Sequence, residues 1–180
     1  MNADRLTRRD ALALAVATAS PLLLGAGAAS AQDEGDAVVL QGAIVLEQTA
    51  VVVYDTAVSS GLLDREAKRV AELFRDQEQE HADALIAAFE RLGGSAPKPP
   101  EAAAIPGLSE LKSQAGVTAY AIELETTAVA AYYQAHQQLQ DPELLRTTAG
   151  IMANEGQHLV VLRESVGRAP VPNAFETGER

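Results

Sequence analysis

The chain has 180 residues, a formal net charge of −11, 47% hydrophobic and 4% aromatic residues, and neither Cys nor Trp. That length suits one domain with a full core. The missing cysteines exclude disulfides, thiolate metal sites, a cysteine nucleophile and a lipid-attached N-terminal Cys. The acidity argues against nucleic acid or an anionic membrane surface as a partner. Ala, Leu, Glu and Gln are abundant and favour helix, while strand-like alternation is scarce. The expected class is all-α.

Residues 1–31 read as an export signal. Arg8-Arg9 precede an apolar stretch from Ala11 to Ala29, and Ala29-Ser30-Ala31 offers small residues for cleavage, which predicts Gln32 as the new N-terminus. The pattern resembles the twin-arginine signal of bacteria. That route exports folded proteins, so the resemblance implies cofactor loading before export and a periplasmic or other extracytoplasmic location. An uncleaved membrane anchor is the rival reading, but Pro21, Gly25 and Gly27 make the stretch a poor span.

Residues 32–37 are polar and expected to be a disordered linker. A first helix is predicted over about 38–58, with the apolar line Leu40, Ile44, Glu47, Val51, Tyr54, Val58. Glu47 lies inside that line, and a carboxylate in an apolar stripe requires a partner. Ser59-Ser60-Gly61 breaks the helix. Asp64 is placed to cap a second helix over about 65–92, whose line is Phe74, Glu78, His81, Leu85, Ala88, Leu92. Asp76, Glu80 and Asp83 fall off that line and are expected in water.

Residues 93–107 contain four prolines and cannot continue a helix. A segment of that length can carry the chain from one end of a bundle to the other. The third helix is predicted over about 108–139 on the line Thr118, Ala121, Glu125, Ala128, Tyr132, Ala135, Leu139; Glu123 falls off it. Asp141-Pro142 then restarts the chain as N-cap and first helical residue. The fourth helix, about 142–166, carries Leu144, Thr148, Ile151, Glu155, His158 and Leu162. A Pro-rich tail, residues 167–180, is expected as an irregular strap or a frayed end.

A motif repeats on these lines. Glu78-x-x-His81 recurs as Glu155-x-x-His158, each following a Glu-x6-Tyr element, Glu47…Tyr54 and Glu125…Tyr132. Glu47 to Glu125 and Tyr54 to Tyr132 are both 78 residues; Glu78 to Glu155 and His81 to His158 are both 77. The chain therefore reads as two helical hairpins of one design. One Glu-x-x-His is weak evidence, since residues three apart on a helix form ordinary surface pairs. Both copies, however, sit on apolar lines. Four carboxylates in a core would repel one another and lose hydration, at several kcal/mol per ion. Two divalent cations offset that charge, and the imidazoles add neutral donors. One Glu from each of two helices and Glu-x-x-His from each of the other two is the ligand pattern of dimetal carboxylate bundles.

On these residues, positions 38–166 resemble a ferritin-like domain of the rubrerythrin and bacterioferritin superfamily. The resemblance implies a four-helix bundle of two hairpins joined by a long crossover, with Glu47, Glu78, His81, Glu125, Glu155 and His158 as metal ligands. The metals implied are two divalent ions, Fe first and Mn as an alternative, reacting with O2 or peroxide. Ferrous oxidation, peroxide reduction and catalase-like dismutation all stay open. Without Cys there is no iron–thiolate centre, so any electron donor is external. A homodimer stays open, and shell-forming contacts of a storage cage are not visible. The competing class is a non-enzymatic bundle with a structural, stress-associated or interaction role in the cell envelope. Tyr54 and Tyr132 are expected to pack beside the site or bond a ligand carboxylate. His136 is expected to be a half-exposed surface residue outside it.

Overall fold

A computed structural model describes residues 31–178; the expected export signal, save for Ala31, lies outside them. Among the described residues four α-helices make up the fold: α1 Ala31–Ser59, α2 Arg65–Arg91, α3 Gln114–Ala135 and α4 Pro142–Ser165. Two short 3-10 turns, Ala102–Ala104 and Leu108–Glu110, lie in the crossover between α2 and α3. No strand occurs among the described residues. The expected bundle of two hairpins is what the chain forms.

The starts of α2, α3 and α4 each have a cap that explains them. The Asp64 carboxylate accepts from the N–H groups of Glu66 and Ala67 at 3.0 and 2.9 Å, opening α2. Asp141 accepts from Glu143 and Leu144 at 2.7 and 3.1 Å, and Pro142 takes the first position of α4. Ser113 caps α3 through Gly116 at 3.2 Å. These side chains satisfy backbone donors that have no partner within the helix.

Two boundaries differ from the sequence expectation. Residues 32–37 are helical rather than a disordered linker, because Asp36 is tied into the opposite hairpin. Its carboxylate accepts from the N–H groups of Gln140 and Asp141, both at 2.9 Å, and it is buried. The polar residue that suggested a linker is a cap for the α3–α4 turn. The third helix is shorter than 108–139: it begins after Ser113 and ends at Ala135, with a 3-10 turn ahead of it.

The register follows from cross-chain partners. Tyr54 reaches Glu125 and Tyr132 reaches Glu47, so α1 and α3 run antiparallel. His158 lies by Glu78 and His81 by Glu155, so α2 and α4 are antiparallel too. With antiparallel hairpins, α2 and α3 run in the same direction, which is why the crossover must span the bundle.

α1 and α3 are apolar on nearly every face, and each has a second covering. The crossover lies along α1, where Gln48 Nε2 donates to the Pro97 carbonyl at 3.0 Å. It ends at Tyr120, whose hydroxyl donates to the Pro106 carbonyl at 3.0 Å. The C-terminal tail covers α3. Arg163 pairs with Glu176 at 2.6 Å, and Gly178 packs so closely that a Cβ there would stand 2.4 Å from the Thr126 carbonyl oxygen. The tail is a strap. A helix covered both inside and outside loses the one-sided pattern of a surface helix.

Candidate metal centre

The six expected residues converge at mid-bundle. Glu47, Glu78, Glu125, Glu155 and His158 are all 1% exposed or less, and the His81 side chain is 13% exposed. Each position results from a helical line meeting its antiparallel partner. Glu47 comes from α1, Glu78 and His81 from α2, Glu125 from α3, and Glu155 and His158 from α4. Positions three apart on α2 or α4 share a face, which aims the Glu and His of each motif at one point.

Both imidazoles turn Nδ1 inward. His81 Nδ1 lies 3.2 Å from Glu47 Oε2, 3.3 Å from Glu78 Oε2 and 3.2 Å from Glu155 Oε1. His158 Nδ1 lies 3.1 Å from Glu78 Oε1, 3.5 Å from Glu125 Oε1 and 3.3 Å from Glu155 Oε2. Two groups could each hold a metal ion: Glu47, Glu78, His81 and Glu155, and Glu78, Glu125, Glu155 and His158. Glu78 and Glu155 belong to both. The two imidazole planes are inclined at 29°, with centroids 6.5 Å apart.

The fit to a cation rests on unmatched acceptors. Glu78 Oε1, both Glu155 oxygens and His158 Nδ1 are buried and make no hydrogen bond. Buried polar atoms normally have partners, and a cluster of oxygen acceptors around imidazole nitrogen suits a hard or intermediate cation. Without a cation, protons carry the balance. Burial works against a charged His81, but Glu155, Glu47 and Glu78 push its pKa up to about 12. His158 is likewise opposed by burial yet raised to about 11 by Glu125, Glu155 and Glu78. Burial raises Glu47 and Glu125 well above the usual carboxylate range. Burial also acts to raise Glu155, but the adjoining His158 and His81 imidazoles outweigh it and lower the group to about 2.

The tyrosines bond carboxylates across the hairpins. Tyr54 donates to Glu125 and Tyr132 to Glu47. Burial, followed by the adjoining carboxylate, raises both phenols well above their ordinary range, so both remain protonated donors. His136 is half-buried and stays apart, with Nε2 3.0 Å from Thr148 Oγ1. Asp76, Glu80 and Asp83 are exposed.

Sequence reasoning missed how Phe74 and Gln77 act. Phe74 stacks on His158 at 3.9 Å between centroids. Gln77 Oε1 lies 2.8 Å from His158 Nε2. Their spacing to Glu78 held the signal: residues one and four before it lie on the same side of α2 once the α2–α4 register is known. At that end of the bundle a cleft of about 710 Å³ has Tyr54 and Phe74 in its lining. Asp64 and Gln114 clasp across it, with the Asp64 N–H donating to Gln114 Oε1 at 2.7 Å and Gln114 Nε2 donating to Asp64 at 3.0 Å.

Residues 35–168 match the family model described as a ferritin-like domain. No curated protein matches the chain.

Proposed function

The chain belongs to the ferritin-like domain family, and from that premise we propose that it holds a dinuclear centre of Fe or Mn and uses it in O2, peroxide or iron redox chemistry. The observation that supports this is the sharing of Glu78 and Glu155 between two ligand groups, each with its own histidine and its own further glutamate. In this reading Glu78 and Glu155 would each serve both ions. Glu47 with His81 completes one position, and Glu125 with His158 the other. Carboxylate and imidazole donors favour Fe or Mn over soft copper sites. When bound, a redox-active pair supplies two electrons at once to a small oxidant.

The protein's part is geometry and exclusion of water. Four helices hold the ligands in a buried space. Tyr54 and Tyr132 hold the outer carboxylates of Glu125 and Glu47 in place by hydrogen bonds from the opposite hairpin. The absence of Cys makes the electron donor an external one. On the strength of residues 1–31, the site of action is the periplasm or another extracytoplasmic compartment, reached through a twin-arginine-type signal.

The test is metal analysis followed by oxidation. The purified protein is loaded with Fe(II) under argon, its metal content is measured, and O2 is then admitted while ferric absorbance is followed. About two ions per chain with a prompt ferric band is the expected result. Two ions without oxidation would reduce the protein to a metal-binding envelope module. Fewer than two ions per chain would remove the dinuclear reading.

A further inference from the structure

The two halves of the centre have matching ligands but different surroundings. Gln77 immediately precedes Glu78 on α2, yet its side chain serves the opposite hairpin. Its Oε1 stands 2.8 Å from His158 Nε2. The other nitrogen, Nδ1, faces Glu78, Glu125 and Glu155 at 3.1 to 3.5 Å and makes no hydrogen bond. A neutral imidazole that donates Nε2–H to a carbonyl oxygen keeps its lone pair on Nδ1. Gln77 therefore selects the tautomer whose lone pair points at the carboxylate cluster. Phe74 closes the same ring from one face, stacked at 3.9 Å and 25°, and His158 is 1% exposed.

His81 has the same inward Nδ1 but lacks both supports. At the 77-residue offset, Asn154 stands where Gln77 does, and Ile151 where Phe74 does. Asn is one methylene shorter, and among the described residues no hydrogen bond joins it to His81. Isoleucine has no ring to stack. The His81 side chain is 13% exposed, against 1% for His158.

We propose that Gln77 is a positioning residue that makes the His158 half the tighter and slower-exchanging half of the centre, while ions enter and leave through the His81 half. The inference rests on the dinuclear reading above. Groups that hold the outer nitrogen of a ligating histidine orient the ring and raise its basicity, and losing one costs about 10- to 100-fold in metal affinity.

Cobalt(II) is the probe, used with the full chain in competition against a chelator. Two uptake steps are expected in the wild type. Gln77→Asn, which copies the residue at position 154, should weaken the tighter step about 10-fold or more and leave the other step unchanged. Gln77→Glu keeps an acceptor of equal reach and should restore much of the lost affinity. A second readout is independent of affinity. In the cobalt-loaded wild type, the two imidazole Nε2–H protons give paramagnetically shifted NMR signals. One should vanish promptly in D2O and the other persist; Gln77→Asn should make the second vanish as well. Equal exchange of the two signals in the wild type overturns the proposal even if the variant fails to fold. So does a Gln77→Asn protein with both steps unaltered. Fewer than two cobalt ions per wild-type chain is a different failure, because it removes the dinuclear reading on which the proposal stands.

Discussion

Tyr54 gives its hydroxyl hydrogen to Glu125 on the other hairpin, not to Glu47 on its own helix. Helical geometry favours this. Residues seven apart are separated by about 10.5 Å along the axis, whereas the antiparallel partner helix brings Glu125 alongside. Tyr132 and Glu47 repeat the arrangement in reverse. The two hairpins are thus stitched together by the residues behind the ligands as well as by the ligands themselves.

Removing either hydroxyl should therefore act on the distant half. Tyr54→Phe leaves a buried Glu125 oxygen without its donor, and the metal-free protein should lose about 1–2 kcal/mol of stability, read by urea denaturation. In iron-loaded protein, Tyr54→Phe and Tyr132→Phe should each shift one Mössbauer doublet, and not the same one. If both variants shift the same doublet, the crossed assignment is wrong.

Glu78 and Glu155 should be more damaging to lose than the outer carboxylates, because each serves both groups. Glu78→Gln combined with Glu155→Gln keeps side-chain volume while deleting both shared charges, so bound metal should fall from about two ions to near zero by elemental analysis. Glu47→Gln alone should leave close to one ion per chain. Equal retention of metal by the double variant and the wild type would refute the ligand set.

The ligands were legible because their signal is periodic. Glu47, Glu78, Glu125 and Glu155 each interrupt an apolar line, and the lines separated Glu78 from Glu80 and Glu125 from Glu123. Such patterns hold within one helix. They do not say which helix lies opposite, so Tyr54 could not be assigned to Glu125, nor Gln77 to His158, before the antiparallel register was known. Asp36 failed for the same reason. An acidic residue in the polar run 32–37 looks solvated, and only the α3–α4 turn 104 residues away shows it to be a buried cap. The near-featureless apolarity of α1 and α3 was likewise set by coverings remote in sequence.

The tail's role as a strap makes a prediction away from the metal. Gly178 has φ of 68°, and a Cβ there would lie 2.4 Å from the Thr126 carbonyl oxygen and 2.5 Å from the Ala130 nitrogen. Gly178→Ala combines left-handed backbone strain with a clash against rigid helix backbone, each of order 1–3 kcal/mol, so the tail should detach rather than adjust. Limited proteolysis should then cut within residues 167–178 faster than in the wild type, while the four-helix circular dichroism spectrum is retained. Unchanged cleavage would mean that the strap does not hold α3.

Protonation links stability to metal in opposite senses with and without the ions. In the metal-free protein His81 and His158 are raised from 6.5 to about 12 and about 11. Their contribution is complete below pH 6.5 and is lost as pH rises through those values. Glu47 and Glu125, raised by burial, act in the same direction, favouring the fold less as pH climbs past their unfolded value of 4.5. Glu155, lowered from 4.5 to about 2, contributes above 4.5 and loses that contribution as pH falls through 2. Between pH 5 and 9 the metal-free melting temperature should therefore decline with rising pH. The loaded protein should behave in the opposite way, because ligands must shed protons to bind and affinity falls with acid. At pH 7 both histidines start protonated, so full loading should release at least two protons per chain, measurable with an indicator in weakly buffered solution. Scanning calorimetry should show the gap between loaded and metal-free melting temperatures widening as pH rises. A constant gap together with no proton release would show that bound metal does not displace protons from these two imidazoles.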